Sequence, residues 1–258
     1  MNVKELFSLK DKIILVTGGA GNYGKCIVEG LAEADGTVII ASRNVLAAEK
    51  VAKDFRDNNL NVHAIQFDQG DHSSVLSCKE EIISSYGRLD VFVNNAVSRP
   101  MKGYDAPIEQ FAESMEVNAT GMMDILREMA DAIVKSGGGS IINIGSMMGM
   151  FGPDLSNYEG TTLGNPSPDY FFHNAGLINL TRYMARMLAN KNVRVNCVSP
   201  GGLLNNQPER FLENYNKKVP LGRMANKDDI KGLMVLLASE AGAYINGENI
   251  LMDGGLHA

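Results

Sequence analysis

The run Thr17-Gly18-Gly19-Ala20-Gly21-Asn22-Tyr23-Gly24-Lys25 stands between an apolar stretch and a segment of helical spacing. Glycines belong where a backbone turns tightly against a pyrophosphate, whose charge rests on free N–H groups at a helix start. A plain turn also uses glycine, but a strand before and a helix after point to a dinucleotide site. The next apolar run ends in Ala41-Ser42-Arg43, with no Asp or Glu until Glu49. A site for NAD places an acid there to accept from the ribose 2′-hydroxyl. Ser42 and Arg43 suit a 2′-phosphate, which predicts NADP in preference to NAD; the other reading of Arg43 is a solvated turn residue.

Other chemistry-bearing residues are poorer signals. Cys26, Cys78 and Cys197 are odd in number and widely spaced, so they read as buried small hydrophobes of a reducing compartment. His63, His72 and His257 have no partners at ligand spacing, and Met147-Met148-Gly149-Met150 reads as an apolar pocket wall. No catalytic metal is expected.

Seven short apolar runs, at 12–17, 37–41, 62–67, 89–93, 140–145, 193–198 and 249–252, predict strands buried on both faces of a sheet. Between them, 23–34, 45–58, 73–86, 108–135, 170–190 and 227–238 have apolar residues at helical spacing. Strand and helix alternating at this rhythm predict an α/β chain with right-handed crossovers and a doubly wound parallel sheet. The Gly137-Gly138-Gly139 run sits between a helix and a strand, so the expectation is one domain over residues 1–258. Segments 147–169 and 201–219 exceed ordinary connections and follow strand ends, where open α/β sheets place ligands. They are the expected substrate walls.

The elements belong to a chain of 258 residues with 24 Lys+Arg against 30 Asp+Glu, a formal charge of −6, which does not suit a nucleic-acid binder. Its apolar runs fall short of the roughly 20 residues a membrane span needs. The start, Met1-Asn2-Val3-Lys4-Glu5, lacks the pattern of a secretory signal, so a cytoplasmic location without a membrane partner is expected.

Taken in order, the glycine-rich turn, Asp68, Asn94-Asn95-Ala96, Asn118, the stretch from Ile141 to Ser146, Asn196-Cys197-Val198-Ser199-Pro200-Gly201 and Asp253-Gly254-Gly255 resemble the short-chain dehydrogenase/reductase family. The likeness runs from Leu9 to Gly255 and implies a Rossmann-type fold and oxidoreductase activity. The insert Asn157-Tyr158-Glu159-Gly160-Thr161 is similar, more loosely, to the branch of sugar-modifying reductases linked to flagellin modification and nonulosonic acids. The turn departs from the family pattern at Asn22, where a glycine is usual; asparagine is the residue that best tolerates left-handed angles.

The resemblance implies that Thr17, Gly18, Gly21, Asn22, Tyr23 and Gly24 line the cofactor site with Ser42 and Arg43. It sets Asp68 at the adenine amino group, although a strand-end cap is its other reading. Asn95 and Ala96 then lie at the adenosine ribose, and Pro200, Gly201 and Leu203 at the nicotinamide. For the reaction it implies Ser146 at the substrate oxygen, Tyr170 as the proton donor and Asn118 in a proton relay. A phenol serves at neutral pH once its acidity exceeds the usual pKa of about 10.

The family's lysine, one helical turn after the tyrosine, is replaced by Asn174, which can hold a ribose hydroxyl but carries no charge. A cation ~4 Å away at an effective dielectric near 20 is worth ~4 kcal/mol before desolvation and screening. Uncompensated, its loss predicts turnover weakened by on the order of 10²-fold, recoverable by Asn174→Lys. His173 is a substitute acid or cation on one reading and a packing residue on the other. The expected activity is NADP-dependent oxidoreduction of a carbonyl or hydroxyl on a small polar substrate, a sugar or sugar nucleotide among them. The alternatives are a catalytically impaired dinucleotide-binding scaffold, and a lyase or isomerase with a bound cofactor. Family habit also implies a homodimer or homotetramer formed through the helices at 108–135 and 170–190.

Overall fold

The computed structural model describes residues Met1–Ala258. A short helix α1 (Val3–Phe7), capped by Asn2 and Glu5, precedes β1 (Ile13–Thr17), α2 (Asn22–Glu33), β2 (Thr37–Ser42), α3 (Val45–Arg56) and β3 (Val62–Gln66). Then follow α4 (His72–Tyr86), β4 (Val91–Asn94), α5 (Ile108–Met115), α6 (Met122–Lys135), β5 (Gly139–Ile144) and α7 (Pro168–Leu188). The chain closes with β6 (Val193–Pro200), α8 (Glu209–Asn216), α9 (Lys231–Ala238) and β7 (Asn249–Met252). No helix is long and apolar enough to cross a membrane.

All seven strands are parallel, in the order β3-β2-β1-β4-β5-β6-β7, which gives the Rossmann-type sheet. Helices cover both faces, so β1, β2, β4, β5 and β6 are largely buried, while the edge strands β3 and β7 are more open. Leu15, Ile39, Phe92 and Ile141 pack towards Ile125, Met129 and Leu177, while Ile14, Val16, Val38 and Ile40 pack towards Ile27, Leu31 and Met234. The order reverses between β1 and β4, so the loops at their C-terminal ends splay apart and open the crevice where such sheets bind ligands.

Two features of the sequence reading change. The helix expected over 108–135 is two helices joined by a π-helical turn, Glu116–Gly121. The cause is a close approach from outside: a Cβ on Gly121 would lie 2.2 Å from the Gln69 carbonyl oxygen. Gln69 Nε2 donates to the Val117 carbonyl at 3.0 Å, a group that regular helical pairing would occupy. The segment 201–219, read as loop, contains α8, whose Phe211 and Tyr215 are buried against Val219 and Met224.

The three cysteines are free and buried. Burial pushes the Cys78 thiol up to about 12 and that of Cys197 up to about 11, so neither is a ready nucleophile near neutrality.

Candidate active site

The glycine-rich turn is shaped by steric necessity. Gly18 sits in the left-handed region at φ +64°, and a Cβ on Gly24 would lie 2.3 Å from the Gly18 carbonyl oxygen. Asn22, the departure noted above, is the first residue of α2 and does not have a positive φ, so its side chain costs the turn nothing. Gly21 is the N-cap of α2 and no side chain caps it, leaving the helix start free for an anion.

Two side chains hold this turn against the end of β4. Asn95 Nδ2 donates to the Thr17 and Gly18 carbonyls at 2.9 and 3.2 Å. The Thr17 hydroxyl accepts from the Asn95 and Ala96 N–H groups, and Thr17 is fully buried behind the turn. Tyr23 reaches the other way, its hydroxyl donating to the Gly201 carbonyl at 3.1 Å.

A cavity of about 820 Å³ runs from this turn along the C-terminal edge of the sheet. Gly18, Gly21, Asn22, Tyr23, Gly24, Ser42, Asn95, Ala96, Pro200, Gly201 and Leu203 share its wall with Asn118, Ser146, Tyr170 and Asn174. Thr17, Arg43 and Asp68 are not on that wall. Arg43 is exposed, its carbonyl accepting from Gln66 Nε2 at 3.0 Å. The Asp68 carboxylate accepts from the Gly70 N–H, while its own N–H donates to Ser74 Oγ.

Ser146 is buried at the exit of β5 and begins a 3₁₀ turn, Met147–Gly149. Its oxygen accepts from the Met148 N–H at 3.2 Å, and its own proton has no acceptor in the protein. The turn lies against α7 because Gly149 has no side chain: a Cβ there would be 2.7 Å from the Asn174 backbone carbon. α7 starts with Pro168, whose fixed φ suits the first helical position, and presents Tyr170, His173 and Asn174 to the cavity. Asn174 Nδ2 donates to the Tyr170 carbonyl at 2.7 Å.

Asn118 sits in the π turn with its amide fully engaged. Its oxygen accepts from the Ser98 N–H at 2.8 Å, and its nitrogen donates to the Ser98 carbonyl at 2.7 Å and Ser114 Oγ at 3.0 Å. Ser114 in turn donates to Asp169 at 2.6 Å. The side chain therefore fixes the loop after β4 to the helix beneath it.

His173 is buried, and burial holds it down to about 4. The imidazole is uncharged near neutrality and does not stand in for a cation. Asp169 favours the protonated form and Arg99 opposes it, neither outweighing burial. Between pH 6.5 and about 4 the unfolded chain takes up a proton that the folded chain refuses. Stability is therefore whole above that window and lost as pH falls through it, by of order 2–3 kcal/mol. His173→Gln is expected to remove this part of the acid sensitivity in urea melts at pH values on either side of the window; parallel curves for both proteins would refute the assignment.

Two residues outside the set expected from the sequence stand beside Tyr170. Asp169 is buried next to Tyr170 in the chain, and the Arg99 guanidinium carbon lies 4.4 Å from the Tyr170 ring centroid. The signal for Arg99 was its place just beyond Asn94-Asn95-Ala96, at a strand's C-terminal end; for Asp169 there was none.

The two long segments face each other across the mouth. Tyr158 meets Phe211 edge-to-face at 5.3 Å, and Lys218 Nζ is 2.6 Å from Asp154 and 2.8 Å from Asn157 Oδ1. Phe151 stacks on His257 at 3.8 Å, bringing the C-terminal residues to the same wall.

Residues 19–257 match the family model described as Enoyl-(Acyl carrier protein) reductase. The chain is 31% identical over 257 residues to Post-translational flagellin modification protein A of Campylobacter coli, covering 96% of this chain and 98% of that one. Among solved structures it is similar to a short chain dehydrogenase from Leptospira borgpetersenii with bound NAD+ (30% identity, TM-score 0.86, 100% and 96% of the two chains covered). It is likewise similar to a gluconate 5-dehydrogenase from Burkholderia cenocepacia in complex with NADP and tartrate (26% identity, TM-score 0.87, 99% and 98% covered).

Proposed function

Since this chain belongs to the short-chain dehydrogenase/reductase family of oxidoreductases, we propose that it interconverts a carbonyl and a hydroxyl on a small polar substrate with NADP as cofactor. A sugar or sugar nucleotide is the substrate class, in keeping with the Campylobacter relative, whose name places it in flagellin modification. The observation that carries the reading is that Ser146 and Tyr170 share one cavity with the uncapped start of α2.

The turn suits a dinucleotide, since Gly18 and Gly24 let it pack tightly on itself and on the end of β4, where side chains would collide, while the start of α2 at Gly21 stays uncapped. Gly18, Gly21, Asn22 and Gly24 would hold the pyrophosphate, and Ser42 with Arg43 the 2′-phosphate. Asp68 would meet the adenine, Asn95 and Ala96 the ribose, and Pro200, Gly201 and Leu203 the nicotinamide. Thr17 and Tyr23 set the height and tilt of the turn through the bonds described above. When bound, the nicotinamide supplies or takes up a hydride.

Tyr170 gives its phenolic proton to the developing alkoxide, and the Ser146 hydroxyl, free of any acceptor in the protein, hydrogen-bonds to the same oxygen. Asn174 contributes position, fixing the turn of α7 that carries Tyr170, and Asn118 holds the opposite loop. Segments 147–169 and 201–219 form the substrate end, with Met147, Met148, Phe151 and Leu203 giving it an apolar floor. Phe172, Tyr183 and Met187 are exposed large side chains on α7, which supports pairing of copies along that helix.

Fluorescence titration with both reduced cofactors tests the reading. NADPH is expected to bind at least ~10-fold more tightly than NADH, because a 2′-phosphate gains charge-assisted bonds that a hydroxyl lacks. Tighter NADH binding would overturn the NADP assignment. Binding without turnover across a panel of polar carbonyl compounds would favour the scaffold reading, for which the uncharged Asn174 is the motive.

A further inference from the structure

Resting on the reading just given, a phenol that hands over its proton becomes, for part of each cycle, an anion in a partly buried wall. Such an anion needs a nearby positive charge. The turn of α7 around Tyr170 offers none: Asn174 is neutral, with an amide N–H bonded to the Tyr170 carbonyl, and burial keeps His173 uncharged. Asp169, the preceding residue, accepts from the Ser114 hydroxyl and brings no positive charge.

The cavity wall has two permanent cations, Arg99 and Lys102, both on the loop after β4. Lys102 Nζ donates to the Arg99 carbonyl at 2.7 Å, which anchors it to the backbone of the same loop. The Arg99 guanidinium instead lies over the Tyr170 ring, 4.4 Å from its centroid, and forms no ion pair with any carboxylate. The backbone that carries it is tied down next door, since Asn118 holds both the N–H and the carbonyl of the neighbouring Ser98. A guanidinium so placed attracts the ring face of the phenol and attracts the phenolate more strongly.

We propose that Arg99, reaching across from the loop after β4, is the cation that stabilises the Tyr170 phenolate during turnover. In the reducing direction, the substrate carbonyl carbon gains a hydride from the reduced dinucleotide, which is oxidised. The carbonyl oxygen takes the Tyr170 proton, the alcohol leaves, and water returns a proton to the phenolate. Arg99 loses and gains nothing; its charge offsets the transient one opposite.

Arg99→Gln is expected to lower kcat roughly ten- to hundred-fold at unchanged NADPH affinity, with Arg99→Lys intermediate. Guanidinium ion added to Arg99→Ala should recover part of the lost kcat, which a purely structural role does not allow. In the Arg99→Gln background, Asn174→Lys should restore turnover by placing a cation on the other side of the ring. A loss confined to KM for anionic substrates would make Arg99 a substrate anchor and overturn the proposal, as would a kcat loss that guanidinium and Asn174→Lys both leave uncorrected. If the wild-type protein turns over no substrate, the redox reading fails. The Arg99 assignment is then still decided by near-ultraviolet phenolate absorbance, taken as the difference from Tyr170→Phe. More alkali should be needed to raise that band in Arg99→Gln than in the wild type, and identical titrations overturn the proposal.

Discussion

Tyr170→Phe is expected to reduce turnover by about 10²–10⁴-fold while NADPH still binds, because the substitution removes one oxygen from a cavity wall and nothing else. The fold has no stake in that hydroxyl: it makes no hydrogen bond within the protein, while the ring keeps its contacts with Arg99 and His173. Phenylalanine fills the same space, so melting temperature should stay within a degree or two. Without the phenol, an alkoxide forming on the substrate must draw its proton from water, and the general-acid contribution of about 10²–10⁴ is lost. Steady-state kinetics beside fluorescence titration give the decisive comparison. Turnover within ten-fold of the wild type would move the proton donor to another residue, and parallel loss of NADPH binding would mean that the helix had shifted.

Ser146→Ala is expected to cost about 10²–10³-fold in kcat, the usual effect of removing one donor from a developing oxyanion. This variant differs from the first because Ser146 also has structural work: its oxygen caps the 3₁₀ turn through the Met148 N–H. Loss of the cap is worth about 1 kcal/mol, a small fall in melting temperature. Ser146→Thr separates the two roles. It retains a hydroxyl for both tasks and should recover most of the stability and part of the rate. An alanine variant that melts lower but turns over normally would show Ser146 to be only a cap.

The sheet was legible because its strands are covered on both faces, which forces continuous apolar runs such as Ile13-Ile14-Leu15-Val16 and Val38-Ile39-Ile40. Helix α8 was missed since Glu209–Asn216 is mostly polar, follows a proline and buries only Phe211 and Tyr215. The π turn is not written locally at all. It depends on Gln69 meeting Gly121 and Val117, residues far apart in the chain. At the site, the residues of the glycine-rich turn were readable from spacing, and Ser146, Tyr170 and Asn174 came by resemblance. What escaped was electrostatic. The charge beside Tyr170 is absent from its own turn of α7 and arrives from Arg99, so the weakening expected from Asn174 alone presumed that nothing else could compensate. Asn22 shows the reverse case: its tolerance was credited to left-handed angles, whereas the structure asks that conformation of Gly18 instead.

Lys218 grips Asp154 and Asn157 from the opposite side of the cavity mouth. The two segments are thereby buckled together beside the cavity, so that a change in one is felt by the other. Swapping one segment for that of a relative would leave half a buckle. The two segments are therefore best grafted as a pair.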